Sequence, residues 1–350
     1  KENDMEISYG YNKIKELAKL TLKAGRTPAI WGAPGIGKST MGRELAEELN
    51  ARLCILDVPL LQPFDYAVAV PNHDSKTVEL YPTGFLPTNE RALILIEDLP
   101  LAKPYQMIPV MQMVLDKRIG NIRFSDEVRF VITGNREEDT PEVNPLPTPL
   151  NNRLSHFNLD ADYEEWVIWG KKNGIEESIT GFITSQPQFI LTQPKDGEKA
   201  FASPRSWHCL SDEIKGIKKE WQLRALAHAN VGVQASQMYI TWFKYLKDIN
   251  PVDIIENRGY MSYSTDRAKI FAVIQSVSAH IKQKKGEYIA KFKNEIEGFF
   301  NWLSGEFKIV FLKELVEHTK TSSKIDKLIE FAEQIPSAVN YVGQIRDRNN

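Results

Sequence analysis

The chain has 350 residues, of which 42% are hydrophobic and 26% are charged, and its formal net charge is −2. This composition is typical of a globular protein of roughly two domains, and the near-zero charge argues against a general polyanion-binding surface. No apolar run is long enough to span a bilayer, so no membrane segment is expected. The two cysteines, Cys54 and Cys209, form no metal or redox motif. We therefore expect a reducing compartment and a cytoplasmic location.

The first part of the chain alternates between segments typical of helices and segments typical of strands. Apolar residues at helical spacing predict helices over residues 14–22, 40–49 and 107–114. Short apolar runs predict strands at residues 28–31, 53–58, 93–96 and 128–133. Continuous apolar strands that alternate with helices indicate a parallel sheet covered on both faces, which is an α/β fold.

From about residue 163 onward the pattern becomes helical. Apolar faces with charged backs predict helices over residues 220–231, 268–282 and 288–302. The intervening segment 140–152 is rich in Pro, Thr and Asn, and it is interpreted as an exposed loop. The basic run at residues 282–285 is interpreted as a solvated helix end. Six aromatic residues of this half are expected in the core rather than at an interface: Trp242, Phe243, Tyr245, Phe299, Phe300 and Trp302.

A glycine-rich segment between the first predicted strand and the helix after it has the pattern of a phosphate-binding loop. Its residues are Gly32, Ala33, Pro34, Gly35, Ile36, Gly37, Lys38 and Ser39, followed by Thr40. In this arrangement backbone N–H groups at a helix N-terminus surround a triphosphate. Lys38 would reach the β- and γ-phosphates, and the Ser39 hydroxyl would bind Mg²⁺. The pattern therefore predicts binding of ATP with Mg²⁺.

Polar residues that end two later strands supply candidates for hydrolysis. Glu97 and Asp98 directly follow the apolar run at 93–96, and Asn135 follows the run at 128–133. One carboxylate would hold Mg²⁺ and the other would polarise the attacking water. The Asn135 amide would orient that water or contact the γ-phosphate. These residues predict an ATPase.

Five segments taken in order resemble the motifs of MoxR-type AAA+ ATPases, over roughly residues 8–215. They are the phosphate loop with Trp31 before it, the acidic strand end, the run 134–139, Asn151-Asn152-Arg153-Leu154, and Phe201-Ala202-Ser203-Pro204-Arg205-Ser206-Trp207. The resemblance implies an AAA+ core over residues 1–160, a helical lid that begins over 161–215, and a further helical region over 216–350.

The same resemblance implies roles for three single residues. Asn135 would be the sensor-1 residue, Arg153 the arginine finger that reaches the nucleotide of a neighbouring subunit, and Arg205 the sensor-2 residue that touches the γ-phosphate from the lid. Fixed cations of this kind stabilise the charge that spreads over the phosphoryl oxygens in the transition state. The resemblance further implies a ring, expected to be a hexamer, that remodels a protein partner, with a von Willebrand factor A domain protein as a possible companion.

Two hairpins are also implied. The stretch between residues 62 and 88 is interpreted as a hairpin with its turn at 72–75, which would correspond to the insert in helix 2 of the family. Residues 119–130 resemble the hairpin before sensor 1, with the expected turn at 125–127. In related motors these loops face the centre of the ring or the partner.

The acidic pair departs from the family pattern, because the usual order is Asp then Glu. By position, Glu97 would hold Mg²⁺ and Asp98 would polarise water. Because the Asp98 side chain is one methylene shorter than the usual Glu at that position, we expect slow hydrolysis. Two other functions stay open, a nucleic-acid motor or loader and a nucleotide-gated assembly scaffold. The sequence has no basic stripe with interleaved aromatic residues that would support the nucleic-acid motor. A monomeric small-molecule kinase is disfavoured, because Arg153 and Arg205 would have no use in it. The client and the pathway are left open.

Overall fold

The computed structural model describes residues 7–140, 142–194, 197–262 and 267–316. The strands are β1 (Ser8–Tyr9), β2 (Thr27–Trp31), β3 (Arg52–Asp57), β4 (Ala67–Asn72), β5 (Thr77–Pro82), β6 (Ala92–Glu97), β7 (Arg118–Ile119), β8 (Ile122–Arg123), β9 (Val128–Gly134) and β10 (Leu154–Leu159). The helices are α1 (Tyr11–Lys23), α2 (Lys38–Glu48), α3 (Pro104–Asp116), α4 (Thr148–Asn151), α5 (Tyr163–Lys172), α6 (Glu177–Ser185), α7 (Pro204–Ile214), α8 (Glu220–Asp248), α9 (Pro251–Glu256), α10 (Arg267–Lys291), α11 (Lys293–Trp302) and α12 (Gly305–Val316).

A six-stranded sheet forms the centre of the N-terminal part, with the strand order β1-β10-β2-β9-β6-β3. Every neighbouring pair in this sheet is parallel. Parallel strands place their carboxyl ends at one edge of the sheet, where ligands of open α/β folds bind. The predicted α/β fold with a parallel sheet, followed by a helical region, is confirmed.

Side chains of the central strands alternate between two cores, one on each face of the sheet. One face packs with α3; its buried residues include Ala29, Ile94, Ile96, Ile132, Leu154, Met107 and Val110. The other face packs with α1 and α2; its buried residues include Ile30, Leu93, Leu95, Val131, Leu159, Ile14 and Met41. Burial on both faces explains why these strands are apolar at nearly every position.

Strand β10 was not predicted, although it lies inside the sheet between β1 and β2. It pairs with β2 in a register that places Leu154 opposite Thr27 and Asn158 opposite Trp31. Its sequence mixes apolar and polar residues, because the strand lies next to the two-residue β1 near one edge of the sheet. The predicted loop over 140–152 also contains the short helix α4.

Two antiparallel hairpins lie outside the central sheet. The first pairs β4 with β5, and the register from Ala67 opposite Pro82 to Asn72 opposite Thr77 agrees with the hairpin predicted between residues 62 and 88. The second pairs β7 with β8, with Ile119 opposite Ile122. Its turn therefore lies at residues 120–121, and the predicted turn at 125–127 is wrong: those residues lead into β9 instead.

The described residues divide into two compact units. The first holds residues 7–140, 142–169, 190–194 and 202–208, and the second holds 170–189, 197–201, 209–262 and 267–316. The domain limits predicted at residues 160 and 215 stay predictions. None of the helices in the described ranges is both long and apolar enough to cross a membrane.

The second unit is a bundle of helices. The predicted helix over 220–231 ends where Gly232 interrupts α8 with a φ of 80°. A Cβ atom at Gly232 would lie 2.5 Å from the carbonyl oxygen of Ala200, so this break needs glycine for its space as well as its φ. Trp242, Phe299 and Phe300 are buried, as expected of core residues, whereas Phe243, Tyr245 and Trp302 are only half-buried. The predicted helix end at 282–285 is wrong, because α10 continues to Lys291.

Candidate functional site

The glycine-rich loop connects β2 to α2, as predicted, and takes backbone conformations that need glycine. Gly35 has a φ of +79° and Gly37, which precedes α2, has a φ of +106°. A Cβ atom at Gly35 would lie 2.8 Å from the Oγ atom of Ser203. The loop therefore excludes side chains at Gly35 both by its conformation and by its neighbour.

Lys38 is the first residue of α2 and its ammonium group is bound by oxygen atoms of the protein. The Nζ atom donates to the carbonyl oxygens of Gly32 at 2.6 Å and Ala33 at 2.9 Å, and to the Oδ1 atom of Asn135 at 2.8 Å. The side chain is buried, with 8% of the residue exposed. Burial lowers the pKa of Lys38 from 10.5 to about 8, because desolvation outweighs the nearby carboxylates of Asp98 and Asp139.

The other loop residues leave the start of α2 open for an anion. Ala33 and Ile36 are buried, Pro34 and Ser39 are half-buried, and Thr40 is exposed. Among the described residues no side chain caps the N-terminus of α2, and the first turn of this helix holds no acidic residue. The backbone N–H groups of this turn and the helix dipole both favour a bound phosphate.

The acidic pair lies at the carboxyl end of β6, next to the end of β3. Glu97 is the last residue of β6 and pairs in register with Asp57, the last residue of β3. Asp98 follows with a φ of 51° and turns the chain away from the sheet. Burial, together with the charges of Asp98 and Glu97, raises the pKa of Asp57. Asp57 therefore lies at the same edge of the sheet and is affected by both charges, and it was missed by the sequence analysis.

These carboxylates fit a cation that is shared with a nucleotide. The Oε1 atom of Glu97 is buried and has no hydrogen-bond partner in the described part of the chain, which leaves an acceptor free for a metal ligand or water. Within those residues, no group of three His, Cys, Asp or Glu side chains forms a ready-made metal site.

Asn135 lies at the end of β9, beside the phosphate loop, as its predicted role requires. The backbone of the loop is bonded to the same strand end, because the Gly32 N–H donates to the carbonyl oxygen of Gly134 at 3.2 Å. The side-chain contact between Asn135 and Lys38 then joins the two elements a second time. The structure therefore brings Asn135 and Lys38 together.

Arg205, at the start of α7, also lies beside the loop. Its backbone N–H donates to the carbonyl oxygen of Gly35 at 3.1 Å. Its side chain is exposed, and its charge contributes to lowering the pKa of Lys38. Ser203 caps α7, since its Oγ atom accepts a hydrogen bond of 3.1 Å from the N–H of Ser206. This cap fixes the start of α7 over Gly35.

Arg153 lies in the turn between α4 and β10. Its backbone N–H donates to the carbonyl oxygen of Leu150 at 2.9 Å, and its side chain is exposed. Within the described ranges, that side chain forms no hydrogen bond or ion pair. The structure does not bring Arg153 to Lys38.

A second arginine near Lys38 was missed by the sequence analysis. The guanidinium of Arg136 binds Asp139 at 2.6 Å and Asp160 at 3.2 Å. Burial alone would lower the pKa of Arg136, but these carboxylates, Asp139 above all, raise it. The charges of Arg136 and Asp139 both act on Lys38. The only sequence signal was the clustering of charges at residues 136–139.

A cavity of about 570 Å³ adjoins this site on the side of Asn135. Trp31 and His156 line it from β2 and β10, and the segment 143–146 lines it from the loop before α4. Asn151, the last residue of α4, completes the wall. The cavity therefore touches both the Asn135 side of the candidate nucleotide site and the segment that leads to Arg153.

Comparison with known proteins gives distant structural likenesses only. No family model matches the chain, and no curated protein matches it. Among solved structures, it is similar to the P216G mutant of Thermotoga maritima RuvB, with 16% identity over 71% of this chain and 76% of that one and a TM-score of 0.43. The T. maritima RuvB Holliday junction branch migration motor gives 16% identity over 71% and 78%, with a TM-score of 0.41. A "putative ATPase" from Cytophaga hutchinsonii gives 12% identity over 93% and 89%, with a TM-score of 0.36.

Proposed function

We propose that this protein is a Mg²⁺-dependent ATPase of the AAA+ type that acts as a ring, and that it belongs to the MoxR-like remodellers of protein partners. The observation that carries the proposal is the position of the Lys38 ammonium at the start of α2, held by the loop carbonyls and by Asn135. In the complex with ATP, phosphate oxygens replace these acceptors. Asn135 is then free to orient the attacking water beside the γ-phosphate.

Hydrolysis in this proposal uses the carboxylates at the ends of β6 and β3. Mg²⁺, when bound, neutralises charge on the phosphate oxygens. Ser39 and Glu97 would hold it, and the buried Oε1 atom of Glu97, which has no hydrogen-bond partner among the described residues, supports this assignment. Asp98 would accept the proton of the attacking water. Its charge acts on Lys38, which supports a position near the γ-phosphate.

The two arginines would supply the cations for the transition state. Arg205 lies in the first turn of α7 and its backbone N–H binds the carbonyl oxygen of Gly35, which supports contact of its side chain with the γ-phosphate of the same subunit. Arg153 is exposed and unpaired within the described residues, which supports a role in the site of a neighbouring subunit. Such an arrangement makes hydrolysis depend on assembly, because each site lacks one cation until a second chain arrives.

Turnover measured against protein concentration tests this proposal. ATPase activity per chain should rise with concentration as rings form, and light scattering should report the same transition. Arg153→Ala should keep nucleotide binding and lose turnover by about a hundredfold or more. Arg91→Ala, another exposed arginine, is the matched control and should behave as the unmodified protein. Activity per chain that stays constant at all concentrations would contradict the shared site.

The other two functions give different results in the same assay. A nucleic-acid motor would show turnover that duplex DNA stimulates and that added salt suppresses. A scaffold would form rings in ATP without turnover. For the remodeller, Asp98→Asn should hold ATP and retain a purified protein with a von Willebrand factor A domain, whereas Lys38→Ala should not. Equal retention by both variants would count against a nucleotide-gated partner.

A further inference from the structure

A chain of hydrogen bonds joins the end of β2 to the end of α4 through His156. The indole Nε1–H of Trp31 donates to the Nδ1 atom of His156 at 3.0 Å, and the Nε2 atom lies 2.9 Å from the carbonyl oxygen of Asn151. An indole N–H only donates and a carbonyl oxygen only accepts, so in this geometry Nδ1 of His156 is the acceptor and Nε2 is the donor. The planes of the Trp31 and His156 rings are nearly parallel, at 21°, and their centroids are 5.8 Å apart.

The two ends of this chain adjoin residues that the proposed function uses. Trp31 directly precedes Gly32, whose carbonyl oxygen binds Lys38. Asn151 ends α4 and lies two positions before Arg153. The last carbonyl groups of a helix have no partner within the helix, and His156 provides one for Asn151. Helix α4 has only 4 residues, so it depends on such outside contacts for its position.

We propose that His156 is a positioning residue that holds the turn carrying Arg153 to the end of β2, so that Arg153 reaches the nucleotide of the neighbouring subunit. This inference rests on the proposed function, because it concerns a residue that positions Arg153 for its role between subunits. His156 therefore matters for the site of its neighbour and not for its own. Its own phosphate loop keeps the bonds of Lys38 to Gly32, Ala33 and Asn135 without it.

Two substitutions separate the effect of the hydrogen bonds from that of having a ring at position 156. His156→Phe keeps a ring beside Trp31 and removes both bonds, whereas His156→Gln keeps one donor and one acceptor. We expect His156→Phe to bind ATP as the unmodified protein does and to lose about tenfold or more in turnover, as misplacement of a catalytic cation does. His156→Gln should recover most of that loss. His228→Phe, at an exposed position of α8, is the matched control and should be unaffected.

Mixed rings identify the subunit in which His156 acts. Lys38→Ala chains cannot use nucleotide but present an intact Arg153, so they should restore turnover to His156→Phe chains after subunit exchange. Arg153→Ala chains should not restore it, because both partners then present a defective arginine. Recovery with Arg153→Ala and not with Lys38→Ala would overturn the proposal, since His156 would then act on its own loop. Unchanged turnover in His156→Phe, or recovery with neither partner or with both, would also overturn it.

A third mixture tells failure of this inference from failure of the proposed function. Rings that combine Lys38→Ala with Arg153→Ala contain native His156, and they should regain turnover if Arg153 acts between subunits. If that mixture stays inactive, or if the unmodified protein has no turnover, the proposed function itself is wrong. If the mixture of Lys38→Ala with Arg153→Ala regains activity, but His156→Phe chains are not restored by Lys38→Ala chains alone, only the role of His156 is wrong.

Discussion

The Nζ atom of Lys38 lies 2.8 Å from the Oδ1 atom of Asn135, a residue 97 positions later in the chain. The same ammonium binds the carbonyl oxygens of Gly32 and Ala33. An arriving phosphate therefore competes with protein acceptors for a lysine that is buried and whose pKa is about 8. This arrangement links nucleotide binding to the protonation of a single group.

Nucleotide affinity should depend on pH through Lys38. Only the ammonium form attracts phosphate, so we expect affinity for ATP to fall above about pH 8, by up to about tenfold per pH unit. Near pH 8 about half of the free chains have lost the proton, and binding should take up about half a proton. Calorimetry in two buffers of different ionisation enthalpy measures this uptake. Affinity that stays constant to about pH 9.5 would contradict the lowered pKa.

Lys38 should also reduce the stability of the nucleotide-free protein. The pKa of Lys38 in the folded protein lies below its value of 10.5 in the unfolded chain. At pH values below about 8 the folded protein therefore contains a buried positive charge, which opposes folding. This destabilisation decreases as the pH rises from about 8 toward 10.5. Lys38→Met should therefore raise the free energy of unfolding at about pH 7 by roughly 1–3 kcal/mol, a range that allows for the contribution of the hydrogen bonds that are lost. The same substitution should abolish ATP binding. Urea denaturation measures the change. Exposed Lys313→Met is the control, and a destabilised Lys38→Met would contradict this account.

The elements around Lys38 were predictable because each has a sequence pattern within its own segment. The apolar runs of β3, β6 and β9 and the glycines before α2 carry their own signals, and all lie within two residues of the predicted positions. Strand β10 carries a weaker signal, since His156 and Asn158 interrupt its apolar residues. Its place inside the sheet depends on pairing with β2, which lies far away in sequence.

The residues that were missed depend on which strands are neighbours. Asp57 resembles any strand-end aspartate until β3 lies beside β6 and brings it opposite Glu97. Arg136 resembles a solvated charge until the end of β10 brings Asp160 to it. Sequence periodicity reports which side of a strand is buried, but it does not report the order of strands in the sheet.

The two carboxylates at the end of β6 should be separable by experiment. Asp98 acts electrostatically on Lys38, whereas Glu97 has a buried oxygen without a partner in the described residues. We expect Asp98→Asn to retain ATP binding and lose turnover by about a hundredfold or more, as removal of a general base does. Glu97→Gln should weaken the Mg²⁺-dependent part of ATP affinity. A titration of each variant with ATP, with and without Mg²⁺, checks this, and the reverse pattern would exchange their roles.

Gly35 and Gly25 form a matched pair for testing the loop. Both have positive φ, +79° and +73°, but a Cβ atom at Gly35 would meet Ser203 Oγ at 2.8 Å, whereas Gly25 has open space within 4 Å. Alanine should cost about 1–2 kcal/mol at either site because of the left-handed backbone. Only Gly35→Ala should also displace the start of α7 from the loop. We expect this displacement to weaken ATP binding by about tenfold or more, which is the change in affinity that the loss of one hydrogen bond produces. Thermal denaturation and ATP titration of both variants separate the two effects. Equal ATP affinity in Gly35→Ala and Gly25→Ala would show that contact with Ser203 does not shape the phosphate loop.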